Sequence, residues 1–184
     1  MRIGLDLDGV IVDSIGSWVR VLNREAGTAF RPGDLPDPYA TPELARVADR
    51  HELEMLIAPP AMAGVAPVLE RLGAAGHELV VITARAPRLR RLTEAWLAYQ
   101  GLAVDRLHFL AGGSKAPAAR AERLDLMVED APHNALALAA AGVPVLLFAA
   151  PYNAGLRRAL VEPCAGWPAV LGAVGGGGAE RFGT

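Results

Sequence analysis

Short, nearly unbroken apolar runs alternate along this chain with longer stretches whose apolar residues recur every three or four positions. Residues 3–7, 78–82, 107–110, 126–128 and 143–148 read as strands covered on both faces, because they lack the polar alternation of a half-exposed sheet. Residues 88–100, 116–123 and 132–141 read as helices. In the first of these Leu89, Leu92, Trp96 and Leu97 share one side and arginines the other. Gly101 and Gly142 stand where a helix end calls for a positive φ. Strands alternating with helices predict an α/β fold, a three-layer, Rossmann-like architecture around a parallel sheet.

One segment breaks this rhythm. Between Asp13 and Gly76 no strand pattern occurs, only helical patterns at 14–26, 42–57 and 66–75, the first two separated by a turn-rich, proline-rich stretch at 30–38. The third helix leads straight into the second strand and belongs with the sheet. Residues 14–64 are therefore expected to form a small helical cap inserted after the first strand, over a core of 1–13 and 65–174. Such a cap would overhang the C-terminal edge of the strands, where open α/β sheets bind ligands. The glycine run at 175–178 marks 175–184 as a flexible tail.

Composition narrows the class. At 184 residues, 52% hydrophobic and 21% charged, the chain can bury a core without disulfides. A formal net charge of −2 provides no basic field for a nucleic acid polymer. Cys164 is the single cysteine, which excludes a disulfide framework or a thiolate zinc cluster and reads as an ordinary, partly buried thiol. Asp6 and Asp8 interrupt the only early apolar run, so no signal peptide is expected. No run reaches the roughly 18 apolar residues of a membrane span. A cytoplasmic protein without membrane contact is the expectation.

The chemistry collects at one edge. Asp6 and Asp8 follow the first strand, Thr83-Ala84-Arg85 the second, Gly112-Gly113-Ser114-Lys115 the third, and Glu129-Asp130 the fourth. In a parallel sheet all these ends point the same way. Four carboxylates gathered there cannot all ionise without a cation, and an oxygen-only donor set favours a hard ion, most simply Mg²⁺. Lys115 is the only lysine among 18 Lys and Arg residues, which points to a need for a compact positive charge rather than a guanidinium fork. It opens a helix, whose N-terminus already favours an anion. No G-x-G-x-x-G follows the first strand, which disfavours a dinucleotide enzyme.

Together these residues resemble the haloacid-dehalogenase-like (HAD) phosphatase superfamily, with Asp6-Leu-Asp8-Gly-Val as first motif, Thr83 as second, Lys115 as third and Glu129-Asp130 as fourth. More narrowly, Ile82-Thr-Ala-Arg85, Val128-Glu-Asp-Ala-Pro-His-Asn134 and Phe148-Ala-Ala-Pro-Tyr-Asn153 are similar to the deoxyribonucleotidase branch, the cytosolic type-C 5′-nucleotidase relatives. That branch carries a small helical cap between its first two motifs. Two departures bear on base recognition: Ser14 follows Asp13 where those enzymes have an aromatic residue, and Ala84-Arg85 stands where they often carry a second hydroxyl. Trp18, Phe30 and Tyr39 are the aromatic residues able to stack in compensation, packing within the cap being their plainer role.

The resemblance implies a Mg²⁺-dependent phosphomonoester hydrolase. Asp6 would attack phosphorus and form an aspartyl-phosphate, while Asp8 would act as general acid and then base. Asp6, the Asp8 carbonyl and Asp130 would hold the metal, with Glu129 behind them or acting through a water. Thr83, the Ala84 amide and Lys115 would hold the phosphate. Arg85 is left open between substrate and solvent, Asp13 reads as a helix N-cap, and His133 as a surface histidine at the edge. The expected substrate is a nucleoside monophosphate, with a sugar phosphate or other small phosphorylated metabolite as the alternative and a silent binding protein behind both. A receiver domain fits poorly, since its lysine follows the last strand. A homodimer is compatible with everything above.

Overall fold

The computed structural model describes residues 1–35 and 37–176. Six strands form one parallel sheet: β1 (Arg2–Leu5), β2 (Glu78–Thr83), β3 (Arg106–Phe109), β4 (Leu126–Glu129), β5 (Val145–Phe148) and β6 (Val161–Cys164), in the order β3-β2-β1-β4-β5-β6. The order reverses beside β1, so the loops after β1 and β4 diverge to open a crevice at the C-terminal edge.

Alternate residues of each central strand feed two cores. Ile3, Leu5, Leu79, Val81, Leu126, Val128, Leu146 and Phe148 face one side. There they meet α3 (Val65–Ala74), α4 (Arg90–Tyr99) and α7 (Trp167–Gly175). Val80, Ile82, Met127, Val145 and Leu147 face the other side, against α5 (Ala116–Ala121) and α6 (Pro132–Ala140). Burial on both faces explains the near-continuous apolar runs. The expected α/β class and parallel sheet are what the chain adopts.

Several boundaries differ from the sequence reading. β6 was not expected: Val161-Glu-Pro-Cys164 carries a proline and a charge, which an edge strand tolerates because one side of its ladder is free. β1 ends at Leu5, although the Asp6 amide still donates to the Val128 carbonyl at 2.9 Å before the chain turns. The helix expected over 88–100 begins as a 3₁₀ turn at Pro87–Leu89. That expected over 116–123 stops at Ala121, and Arg123 already has φ 52°. Gly101 and Gly142 do follow helix ends with φ 68° and 80°. Gly175 closes α7, and the rest of the expected tail from 177 onward lies outside the described residues.

The insertion consists of α1 (Ser14–Ala26) and α2 (Pro42–Leu56), joined through 3₁₀ turns at Pro32–Asp34 and Pro38–Ala40. It owns a third hydrophobic cluster of Val19, Val21, Leu22, Leu35, Leu44 and Met55. The chain enters and leaves it side by side: the Asp13 amide donates to the Pro60 carbonyl at 2.9 Å and the Met62 amide to the Ile11 carbonyl at 2.7 Å. No helix among the described residues is long and apolar enough to cross a membrane.

Candidate active site

The loops after β1, β2 and β4, with the start of α5, bring the expected residues together. Asp6 is 4% exposed at the end of β1. Its Oδ1 accepts from the Leu7 amide and lies 2.6 Å from Lys115 Nζ. Lys115, itself buried, reaches Glu129 Oε2 at 2.6 Å. The other oxygen of Glu129 accepts the amides of Asp130 and Ala131 at 3.2 and 2.9 Å. Glu129 is thus the partner that holds Lys115 against Asp6.

Asp130 is held from above and behind. Its Oδ2 accepts the hydroxyl of Tyr39, which comes from the insertion, at 2.7 Å, and a second, short hydrogen bond from the hydroxyl of Tyr152. Asn153 Nδ2 donates to both the Asp130 and Phe148 carbonyls at 2.8 Å, fixing the loop after β5 to the loop after β4. Oδ1 of Asp130 is buried without a hydrogen-bond partner. Gly9 passes beside this carboxylate with φ 82°, and a Cβ there would collide with Asp130 Oδ2 and approach the Tyr39 hydroxyl to 2.9 Å.

Charge is out of balance here. Burial, reinforced by the charges of Glu129 and Asp130, pushes the Asp6 carboxyl well above the usual range despite Lys115. Burial and Glu129 push Asp130 up to about 7. Burial also works against ionisation of Glu129, but Lys115 and the Ala131 amide outweigh it and hold that carboxyl below its ordinary value. Burial opposes the charge of Lys115, yet Asp6 and Glu129 lift its ammonium above the ordinary lysine. One cation therefore serves three carboxylates whose oxygens lie within 4.8 Å of one another. The orphaned Asp130 Oδ1 and the all-oxygen donor set fit a hard divalent ion.

Asp8 is paired differently. Arg85 Nε donates to its Oδ2 and Nη2 to its Oδ1, both at 2.8 Å, while Nη1 donates to Thr93 Oγ1 on α4 at 3.2 Å. The guanidinium, left open between substrate and solvent from sequence, is buried at the cleft wall and pairs with Asp8. Thr83 is buried, and its hydroxyl accepts the Arg85 amide at 3.2 Å.

Asp6, Asp8, Thr83, Ala84 and Lys115 line one cleft of about 430 Å³. Trp18, Tyr39, Glu52 and Leu56 form its wall from the insertion, and exposed His133 stands at its rim. A second cavity of about 250 Å³ lies within the insertion and shares those four wall residues, with Leu44, Ala48 and Met55 deeper inside. Trp18 meets Tyr39 edge-on at 5.5 Å and is anchored by Nε1 to the Met55 carbonyl. Phe30 lines neither cavity and is 40% exposed. Asp13 occupies the N-cap of α1 without a side-chain cap bond. Tyr152, Asn153 and Thr93 were not singled out from sequence, although the first two end the Phe148–Asn153 stretch that carries the resemblance.

Known proteins resemble this chain in sequence and in fold. The sequence profile of the family described as 5′ nucleotidase, deoxy (pyrimidine), cytosolic type C protein matches residues 1–167. A provisionally named nucleotidase of Halalkalibacterium halodurans is 31% identical over 160 residues, covering 83% of this chain and 81% of that one. A nucleotidase of Clostridium acetobutylicum is 28% identical over 160 residues, covering 83% and 82%. Among solved structures, a HAD family hydrolase of Deinococcus radiodurans with bound phosphate and sodium aligns with TM-score 0.69 at 19% identity, over 97% of this chain and 96% of that one. Rhodobacter sphaeroides CbbY, in complex with phosphate, aligns with TM-score 0.64 at 16% identity, over 90% and 94%. The chain belongs to the cytosolic type C 5′-nucleotidase family of HAD-like hydrolases and is an enzyme of the phosphatase and nucleotidase class.

Proposed function

We propose that the protein is a Mg²⁺-dependent phosphomonoesterase that works through an aspartyl-phosphate on Asp6 and acts on a nucleoside monophosphate. The observation that carries the chemistry is the buried Asp6 carboxylate, 2.6 Å from Lys115 and sharing one cleft with Asp8, Thr83 and Ala84. Lys115 spends two donors on Asp6 and Glu129 and keeps a third N–H for a phosphate oxygen. Thr83 and the Ala84 amide are the remaining phosphate donors. Asp6, the Asp8 carbonyl and Asp130 would hold Mg²⁺, which when bound offsets the charge of the phosphate dianion.

Asp6 attacks phosphorus as the ester P–O bond breaks, and Asp8 gives its proton to the departing oxygen. Water then attacks the same phosphorus, Asp8 takes its proton, and phosphate leaves with Asp6 restored. Residues 14–64 act as the cap that recognises the leaving group. The cavity that shares Trp18, Tyr39, Glu52 and Leu56 with the cleft is mostly apolar and carries two aromatic rings, which supports a nucleoside whose base would pack against them.

The test is phosphate release from a panel of nucleoside monophosphates and sugar phosphates, with Mg²⁺ or EDTA, by the unaltered protein and by Asp6→Asn. Release that needs metal and Asp6 is expected, with nucleotides preferred. A preference for sugar phosphates would overturn the substrate assignment, and release that survives both EDTA and Asp6→Asn the mechanism.

A further inference from the structure

Arg85 makes contacts that the mechanism above does not use. It directly follows the phosphate donors Thr83 and Ala84, where an arginine would be expected to reach an incoming anion. Its side chain is instead 2% exposed and its planar fork takes both oxygens of Asp8 at 2.8 Å. Such bidentate pairing fixes the plane of a carboxyl as well as its position, which an ammonium group cannot do. The remaining guanidinium nitrogen is tied to Thr93 on α4, a helix anchored in the core through Trp96 and Leu97. Among the described residues, no other donor reaches either oxygen of the Asp8 side chain.

We propose that Arg85 is the positioning residue for Asp8: with Thr93 it forms a strut that aims the Asp8 carboxyl at the ester oxygen, and it does not bind the substrate phosphate. This inference rests on the phosphatase reading. In the first half-reaction Asp8, having taken up a proton from solvent on the oxygen that gives up its Arg85 contact, passes that proton to the leaving oxygen as the bond from phosphorus to that oxygen breaks and the bond to Asp6 forms. In the second the proton returns to Asp8 from the attacking water. Rotation of the Asp8 carboxyl out of line would cost most where the leaving oxygen needs that proton, in alkyl esters. It would cost little for a leaving group such as p-nitrophenolate, which departs unprotonated.

The experiment compares kcat/KM across phosphate esters graded from p-nitrophenyl phosphate to an alkyl phosphate, for the unaltered protein, Arg85→Lys, Asp8→Asn and the double variant, all with Mg²⁺. Because kcat/KM reports steps up to the first departure, it isolates proton donation. Arg85→Lys is expected to lower the alkyl value by about 100-fold, a typical general-acid contribution. The p-nitrophenyl value should stay within a few-fold, and inhibition by inorganic phosphate should be unchanged. Adding Arg85→Lys to Asp8→Asn should cost nothing further. Equal losses for both esters, weaker inhibition by phosphate, or an added loss in the double variant would each overturn the proposal. Should Arg85→Lys fail to fold, Thr93→Val loosens the strut while keeping the ion pair, and must show the same contrast at smaller size. Absence of all hydrolysis by the unaltered protein would overturn the phosphatase reading, and the role of Arg85 with it. Metal- and Asp6-dependent hydrolysis without the contrast would overturn the role of Arg85 alone.

Discussion

The hydroxyl of Tyr39, carried by the insertion, donates at 2.7 Å to Oδ2 of Asp130, carried by the core, and lies 3.0 Å from the carbonyl of Asp8. One phenol thus engages the Asp8 carbonyl proposed to hold the metal together with the second oxygen of Asp130, the one beside the orphaned Oδ1, and ties the insertion to the sheet edge. Cation binding and this contact compete for the Asp8 carbonyl, and the phenol also draws charge from the Asp130 carboxylate. Tyr39→Phe should therefore bind Mg²⁺ several-fold more tightly in a calorimetric titration; unchanged or weaker binding would contradict the competition.

Asp130 links stability to pH. Its carboxyl is raised to about 7 in the folded chain against an ordinary 3.8, so the folded form holds the proton more tightly than the unfolded form. The stability that this proton contributes is present in full below about 4 and is lost as pH rises through about 7. In EDTA the protein should melt progressively lower over that interval, and Asp130→Asn should flatten the slope. The variant should melt higher than the unaltered protein at pH 8, by on the order of 5 °C. An unchanged slope would show that Asp130 is not the group responsible.

Lys115→Met removes the one cation among three buried carboxylates. Breaking a buried ion pair by removing one partner costs about 3–5 kcal/mol, because the survivors remain uncompensated. Denaturant unfolding in EDTA should register a loss of this size, and saturating Mg²⁺ should restore part of it. Phosphate release should be lost even in the restored protein. A variant that retains both stability and turnover would remove Lys115 from the site.

Gly9→Ala places a methyl group against Asp130 at a backbone angle that L-residues avoid. About 1–3 kcal/mol of strain is expected from the angle alone. Displacement of Asp130 should weaken Mg²⁺ binding further. Melting and metal titration measured together would separate the two, and normal metal affinity in a destabilised variant would show that Asp130 yields without losing its place.

Trp18 walls both the catalytic cleft and the cavity of the insertion. Base stacking on an aromatic ring is worth about 1–3 kcal/mol, so Trp18→Ala should raise KM for nucleoside monophosphates about ten-fold or more. Values for sugar phosphates should move little, and Trp18→Phe should retain most of the affinity. Equal changes for both substrate classes would make Trp18 a packing residue of the insertion.

Much of this site could be read along the chain because it hangs on strand ends. Asp6, Thr83, Lys115 and Asp130 each follow a recognisable apolar run or open a helix, and a parallel sheet carries all such ends to one edge. Residues 14–64 lack any strand pattern in the sequence, and the helices α1 and α2 lie within them. The edge strand β6 was not legible, because Glu162 and Pro163 break the apolar signal that burial on both faces imposes elsewhere.

Roles proved harder to read than places. The sequence by itself determined the α/β class, the order of the motifs and the gathering of carboxylates around a lone lysine, because apolar period and strand-end position are local properties of the chain. Only the tertiary structure decided which partner each charge takes. Arg85 reaches Asp8 across 77 positions, Tyr39 reaches Asp130 across 91, and Glu129 grips Lys115 rather than standing free for a metal. Those pairings depend on side-chain direction and on the distance between loops that the sheet alone brings together, and no periodicity along the chain encodes either.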